Sequence, residues 1–380
     1  MMTFNFLEIL QITVSFFLSI SLAFVFTYFL KVEKIFSLVL FLWHLFFSLV
    51  FCLLIIITKH GDAITYFYNT REYVFDHLGV GTYFVVFLTQ VLRWFLDSFW
   101  AISVLFGVSG YIGSLFLYAA LKESAGHFFY SNIYKLLIYL FVFLPSLNLW
   151  TSGIGKDSII YMALCIIIWT LLNPIKRKYF ILFSILLIAF IRPHIAMLLL
   201  GSISLSIVLF SNIKISLKLI MLTFSLVLLS LSYSFVLEYV GVGDRGISGV
   251  NKYIESREES NLNGGGAVNL ANMNFFMKLV TYLYRPFLFE GSSLGFLLSS
   301  VDNLILVCLT IYLIRFFKVS FLSIFSIRFS FIYFLFALIV LSATTANLGI
   351  SMRQKWMLLP FLYYVLMCSY SEFKNRKNNV

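Results

Sequence analysis

Charge is scarce in this chain: Asp, Glu, Lys and Arg supply 11% of its 380 residues, whereas 61% are hydrophobic. That is too little polar surface to clothe a soluble fold of this length, so the composition excludes one and makes the bilayer the solvent. Cysteine is nearly absent. Cys52, Cys165, Cys308 and Cys368 all fall in apolar runs, with no pair at metal-ligand spacing, which argues against a disulfide framework and a zinc site and leaves packing. No Asp-x-Asp pair occurs, and no polar stretch is long enough for an ordinary soluble domain, so residues 1–380 read as a single transmembrane domain. The first apolar run exceeds a signal-peptide core and lacks a small-residue cleavage site behind it, so it reads as a span.

What is present is a series of apolar runs, and the chain is expected to be all-α and polytopic with about 11 (10–12) transmembrane helices. They are placed at 5–30, 35–58, 98–121, 130–150, 158–173, 179–191, 195–211, 215–237, 293–314, 329–346 and 356–371. Two shorter stretches, 83–94 and 272–285, carry Arg93 or Lys278 and read as interfacial or re-entrant helices. The net charge of +11 would suggest nucleic acid in a soluble protein; here it reports orientation, and no nucleic-acid partner is expected. Alternate connections hold fifteen basic residues, Lys31, Lys34, Lys122, Lys135, Lys176, Arg177, Lys178, Lys214, Lys218, Arg315, Lys318, Arg328, Lys374, Arg376 and Lys377, against Glu33, Glu123 and Glu372. The other connections balance twelve bases with twelve acids. The positive-inside rule makes the first set cytoplasmic, with the C-terminus inside and, on eleven spans, the N-terminus outside. The outer set contains the one larger connection, 238–275, with the run Gly264, Gly265, Gly266.

Five outer segments carry the polar chemistry: His60-Gly61-Asp62 with Tyr66; Thr151 to Asp157; Arg192-Pro193-His194; Arg285-Pro286-Phe287 with Glu290; and Asn347 to Lys355. Arg192, Arg285 and Arg353 fall near the outer membrane boundary. Guanidinium grips phosphate oxygens through paired hydrogen bonds, so with Lys156 and Lys355 these residues are candidates for binding a lipid pyrophosphate. The plainer alternative is snorkelling to headgroups. Each Arg-Pro dipeptide pushes its arginine out of helical dihedrals and lets a new helix start, a break suited to a water-filled chamber. The turn Ser152-Gly153-Ile154-Gly155-Lys156-Asp157 lacks the Walker spacing and follows an apolar run, which excludes a nucleotide loop. It reads as a helix start, capped by Asp157 or Ser158, where Ser152, Gly153 and Gly155 let backbone amides approach an anion. Asp62, His194 and Glu290 are the candidate general bases, and the sequence does not choose among them. Asp302 is the one carboxylate inside a predicted span, either a helix-packing group or the floor of a cavity.

The Trp150–Asp157 turn, Arg192-Pro193-His194, Arg285-Pro286-Phe287 with Glu290, and Asn347-Leu348-Gly349 through Arg353-Gln354-Lys355 to Pro360 together resemble the Wzy-type bacterial polysaccharide polymerases, beside the wider class of GT-C glycosyltransferases. The motifs are short and spread over residues 60–360. The resemblance implies block transfer of a glycan from one undecaprenyl pyrophosphate carrier to the sugar end of another, as in O-antigen assembly, on the periplasmic face of a bacterial inner membrane. It implies no metal or other cofactor, a possible chain-length regulator as partner, and 238–275 as the large periplasmic loop. It also implies cytoplasmic termini, at odds with the N-terminus placed above. Asp62 followed by tyrosine is equally similar to the first-loop acid of GT-C enzymes that take monosaccharides from lipid phosphates. A flippase or transporter would spread charge through the membrane depth, and a scaffold would not need these breaks, so charge on one face favours transferase chemistry.

Overall fold

The structure, a computed structural model, describes residues 5–59, 61–69, 79–210, 214–216, 218–220, 223, 273–291, 293–345 and 347–378, and its regular elements are all helices. The expected span 215–237 and the connection 238–275 lie largely outside the described residues, as does His60.

Helix α1 (Phe6–Phe29) shows which solvent the chain is built for. Its buried residues are Ser15, Ser19, Ala23 and Thr27, spaced by four and hence on one stripe, while Phe17, Phe24 and Val25 are 62%, 70% and 60% exposed. A helix in water would reverse this. In a bilayer, small and hydroxyl-bearing residues face neighbouring helices because lipid is as apolar as leucine and close backbone approach drives association. The hydroxyls stay satisfied on their own helix: Ser19 Oγ donates to Ser15 O at 2.7 Å and Thr27 Oγ1 to Ala23 O at 2.6 Å. Helix α2 (Lys34–Thr58) repeats the pattern, burying Ser37, His44, Ser48 and Cys52 on the face that carries Phe36, Leu40, Phe47 and Phe51.

Among the described residues, five helices are long and apolar enough to cross a membrane: α1, α2, α5 (Phe99–Ala125, with a 3-10 turn to Tyr130), α12 (Leu294–Ile314) and α13 (Phe325–Thr344). The protein is an all-α membrane protein. Helices also occupy the other predicted spans that fall among the described residues, as α6 (Asn132–Val142), α7 (Pro145–Trp150), α8 (Lys156–Thr170), α9 (Lys178–Ile191), α10 (Pro193–Phe210) and α15 (Leu359–Asn378), while α3 (Asp62–Tyr68), α4 (Thr82–Arg93), α11 (Phe275–Tyr284) and α14 (Leu348–Gln354) connect them. At 11, 15 and 14 residues, α6, α8 and α9 are shorter than the roughly 20 that span a bilayer, so length alone does not bring the number to eleven. The stretch 130–150, predicted as one span, is two helices, because Leu144 is forced to φ −56°, ψ 123° ahead of Pro145.

The chain divides into two compact units, residues 1–192 and 193–380. In the first, α5 is the buried axis. Its Gly107, Gly110 and Gly113 form a small-residue stripe: a Cβ at Gly110 would sit 2.2 Å from the carbonyl oxygen of Thr151, and one at Gly113 2.8 Å from the Tyr161 ring on α8. Hydroxyl pairs knit the helices, Ser37 with Tyr111 at 2.6 Å and Ser114 with Tyr161 at 3.1 Å. At one end of this unit Lys122 Nζ donates to Glu33 Oε1 and to Lys31 O, both at 3.0 Å, and Arg177 Nη2 to Glu123 Oε2 at 2.8 Å. Three of the basic connections grouped by the sequence, those of the first unit, thus meet. In the second unit α13 and α15 pack through Phe361 against Tyr333 (centroids 4.3 Å apart) and the Tyr364 to Ser326 hydroxyl bond of 3.0 Å.

Candidate functional site

At the other end of the first unit, four chain segments meet. Gly61, at φ +125°, turns the chain out of α2 in a conformation that favours glycine, and Asp62 opens α3 exposed. One turn on, Tyr66 is buried beside Phe67, and the carbonyls of both accept from the side-chain amide of Gln90 on α4, at 3.3 and 3.0 Å. Arg93, one turn later on α4, donates to Phe67 O at 2.6 Å and to Asp97 at 2.6 Å. The hydroxyls of Tyr66 and Thr82 are hydrogen-bonded, and Thr82 Oγ1 accepts from Lys156 Nζ at 3.0 Å. Beside them Arg192, leaving α9 with φ −142°, ψ 78° as expected ahead of proline, places Nη2 2.5 Å from Asp157 Oδ1. Arg192 is 9% exposed, and its buried Nε has no hydrogen-bond partner among the described residues.

Burial, with the carboxylates of Asp62 and Asp157, pushes the Tyr66 phenol well above its ordinary range against the opposing pull of Arg192 and the Thr82 hydrogen bond. It is therefore a neutral O–H, able to donate. The cluster brings together two cations (Lys156, Arg192), two carboxylates (Asp62, Asp157) and a locked phenol. Three of these, Lys156, Arg192 and Asp62, are expected from the sequence to serve phosphate or proton chemistry, and Asp157 to cap a helix; Thr82 and Gln90 are not, because what gives them meaning lies 74 and 24 residues away along the chain.

The expected anion turn is corrected in part. Helix α8 starts at Lys156 with Gly155 in the cap position, so neither Asp157 nor Ser158 caps it; Asp157 turns to Arg192, and Ser158 Oγ donates back to Gly153 O at 3.3 Å. Ser152 and Gly153 are buried packing residues, not an anion cradle. Ser48 Oγ donates to Ser152 O at 2.8 Å, Ser152 Oγ to His44 O at 3.3 Å, and a Cβ on Gly153 would lie 2.1 Å from the Phe51 ring. Only Gly155, Lys156 and Asp157 of the turn reach the half-buried edge. His44, 3.2 Å from Thr151 Oγ1, belongs to the same seam and was missed, although Ser37, His44, Ser48 and Cys52, spaced seven, four and four, mark one polar stripe of α2.

The remaining candidates lie in the second unit. Arg285, extended at φ −94°, ψ 153°, meets Glu290 through Nε at 3.0 and 3.1 Å and Nη2 at 2.9 Å, and the same carboxylate accepts from Phe287 N at 2.8 Å. Glu290 is thus the brace of the arginine loop. Pro286 starts no helix, contrary to expectation, whereas Pro193 opens α10 as anticipated. Lys355, expected as an anion ligand, is 0% exposed: its ammonium donates to Asn303 Oδ1 and feels the buried Asp302 carboxylate. Arg353 is half-buried in the last turn of α14, and His194 is half-buried in the first turn of α10. No protein family matches the chain, and neither a characterised protein nor a solved structure gives a match.

Proposed function

We propose that this membrane protein is a glycosyltransferase that moves a glycan from a polyprenyl pyrophosphate carrier to a carrier-linked acceptor, the chemistry of a polysaccharide polymerase working on the extracytoplasmic face. The observation that carries the reading is the Asp62, Tyr66, Lys156, Asp157, Arg192 cluster, with a buried guanidinium whose Nε has no partner among the described residues. A buried donor of that kind is costly unless something accepts from it, and a phosphate oxygen is the natural acceptor.

In this reading Arg192 and Lys156 neutralise the pyrophosphate, Asp157 orients Arg192, and the neutral Tyr66 hydroxyl supplies a further donor. Asp62, exposed at the edge, takes the proton of the attacking sugar hydroxyl. A new C–O bond forms at the anomeric carbon as its bond to the pyrophosphate oxygen breaks, and that oxygen keeps the electron pair. A polymerase has two pyrophosphate-bearing substrates to hold. Of the four arginine-carboxylate pairs among the described residues, this reading assigns phosphate to two, Arg192 with Asp157 in one unit and Arg285 with Glu290 in the other.

A second reading, transfer of one sugar from a lipid monophosphate, is favoured by Asp62 standing in the cluster. Incubating the purified protein with one defined undecaprenyl pyrophosphate repeat unit and no nucleotide sugar separates them. A ladder rising by whole repeats supports block polymerisation. No ladder, with single-sugar addition from a lipid monophosphate donor, refutes it in favour of the second reading.

A further inference from the structure

The second unit buries a lysine and an aspartate that stability does not explain. Lys355 and Asp302 are each 0% exposed, and Asn303 is 1% exposed. Burying charged groups costs free energy that an apolar replacement of the same volume would not, and in a membrane protein such groups are kept where they are used. Lys355 sits in the short turn Lys355–Met357 between α14 and α15, while Asp302 and Asn303 are adjacent on α12.

The bonding pattern indicates the use. A lysine ammonium donates and cannot accept, so the Asn303 atom facing it must be the carbonyl oxygen Oδ1. That fixes the other half of the amide: Nδ2 points to the carbonyl of Pro286 and donates to it at 2.9 Å. Pro286 follows Arg285, whose guanidinium is gripped by Glu290 in the same loop. Burial pushes Lys355 below its ordinary range, and the Asp302 charge opposes this by favouring the ammonium form.

We infer that Lys355 is a positioning residue: through Asn303 it fixes the Pro286 carbonyl and thereby sets the Arg285–Glu290 loop. Asn303 is the relay, and neither residue touches the anion. The link between loop geometry and turnover rests on the proposed transferase reading; the relay itself does not.

The test reads the loop directly. The full-length protein in detergent is treated with phenylglyoxal, and the modification rate of each arginine is followed by mass spectrometry for wild type, Lys355→Met and Asn303→Asp. The Asn303→Asp variant keeps an acceptor for Lys355 and loses the donor to Pro286, so it breaks only the second link. Arg285, whose side chain is 26% exposed, is expected to react about 10-fold faster in either variant, the size of one lost buried hydrogen bond, with Arg93 and Arg177 unchanged as internal controls. Combining the two substitutions adds nothing further, as befits two links of one chain. An unchanged Arg285 rate in folded Asn303→Asp overturns the inference, as does an equal rise at all three arginines. Should Lys355→Met not fold, Asn303→Asp alone decides. Where the ladder assay succeeds, both variants raise KM for the lipid-linked substrate about 10-fold with little change in kcat; where it fails, the arginine rates still judge the relay.

Discussion

Arg192 and Asp157 allow stability and function to be separated in one series of variants. Their side chains are 11% and 17% exposed and 2.5 Å apart. Removing one partner strands the other charge in protein, which costs about 3–5 kcal/mol, with the lower end appropriate because Asp157 keeps some contact with water. Removing both strands neither. Arg192→Met is therefore expected to destabilise the purified protein by about 3 kcal/mol in a denaturant or SDS titration, and Asp157→Leu by a similar amount, whereas the double variant returns to within about 1 kcal/mol of wild type.

Activity follows a different order. The guanidinium is the proposed phosphate ligand, and two charge-assisted hydrogen bonds at roughly 1.5–3 kcal/mol each correspond to a loss of about 10²–10⁴ in rate. The double variant should then be folded and inactive, with the repeat-unit ladder as the assay. A double variant as unstable as the singles would show that the pair is not an isolated buried ion pair. A stable double variant that builds the ladder at the wild-type rate would remove Arg192 from the site.

Asp62→Asn should lower turnover by about 10²-fold or more at unchanged thermal stability, since Asp62 is exposed and is the proposed general base; equal turnover would move that role to another group. Gly110→Leu should prevent assembly of the first unit, as even a Cβ there meets the Thr151 carbonyl at 2.2 Å; a folded variant by size-exclusion profile would contradict the close approach of α5 to that turn. Glu33 gives a pH test. Burial raises its carboxyl, but hydrogen bonds from Tyr118 and Lys122 outweigh this and hold it below the ordinary 4.5. Its contribution is thus complete above about pH 4.5 and fades as pH falls through the lower folded value, so the stability gap between wild type and Glu33→Gln should close on acidification. Lys176→Ala, at the basic end away from the cluster, should leave the ladder unchanged; loss of activity with topology intact would contradict the placement of the site.

The helices were legible because the bilayer imposes a simple rule. Apolar runs of about 20 residues marked α1, α2, α5, α12 and α13 to within a few positions, and the positive connections marked which ends belong together before Lys122, Glu33, Arg177 and Glu123 were seen to meet. The Arg192-Pro193 break was legible as well, since proline restricts its predecessor whatever surrounds it. Roles that depend on a partner were not. Glycines and a serine after a span look like an anion cradle, yet Phe51, Ser48 and His44 of α2 fill the space around Ser152 and Gly153, and no local pattern announces a ring arriving from 102 residues upstream. Lys355 read as a cation near the surface because its neighbours Arg353 and Gln354 are polar; that it turns inward is decided by Asp302 and Asn303 on another helix.

The same contrast bears on the function. A lipid headgroup is met by arginines that lie flat at the interface with their donors free to water, whereas Arg192 is enclosed, tied to a carboxylate on another helix and, among the described residues, short of an acceptor at Nε. Snorkelling accounts for a charge that escapes the membrane; it does not account for one drawn into protein beside a buried phenol and two carboxylates. Enclosing a charge costs free energy, and natural sequences tolerate such costs mainly where charge develops in a reaction or is carried by a ligand. A pyrophosphate leaving group meets both conditions, since its negative charge grows as the sugar departs and a buried guanidinium stabilises that growth more than it stabilises the ground state.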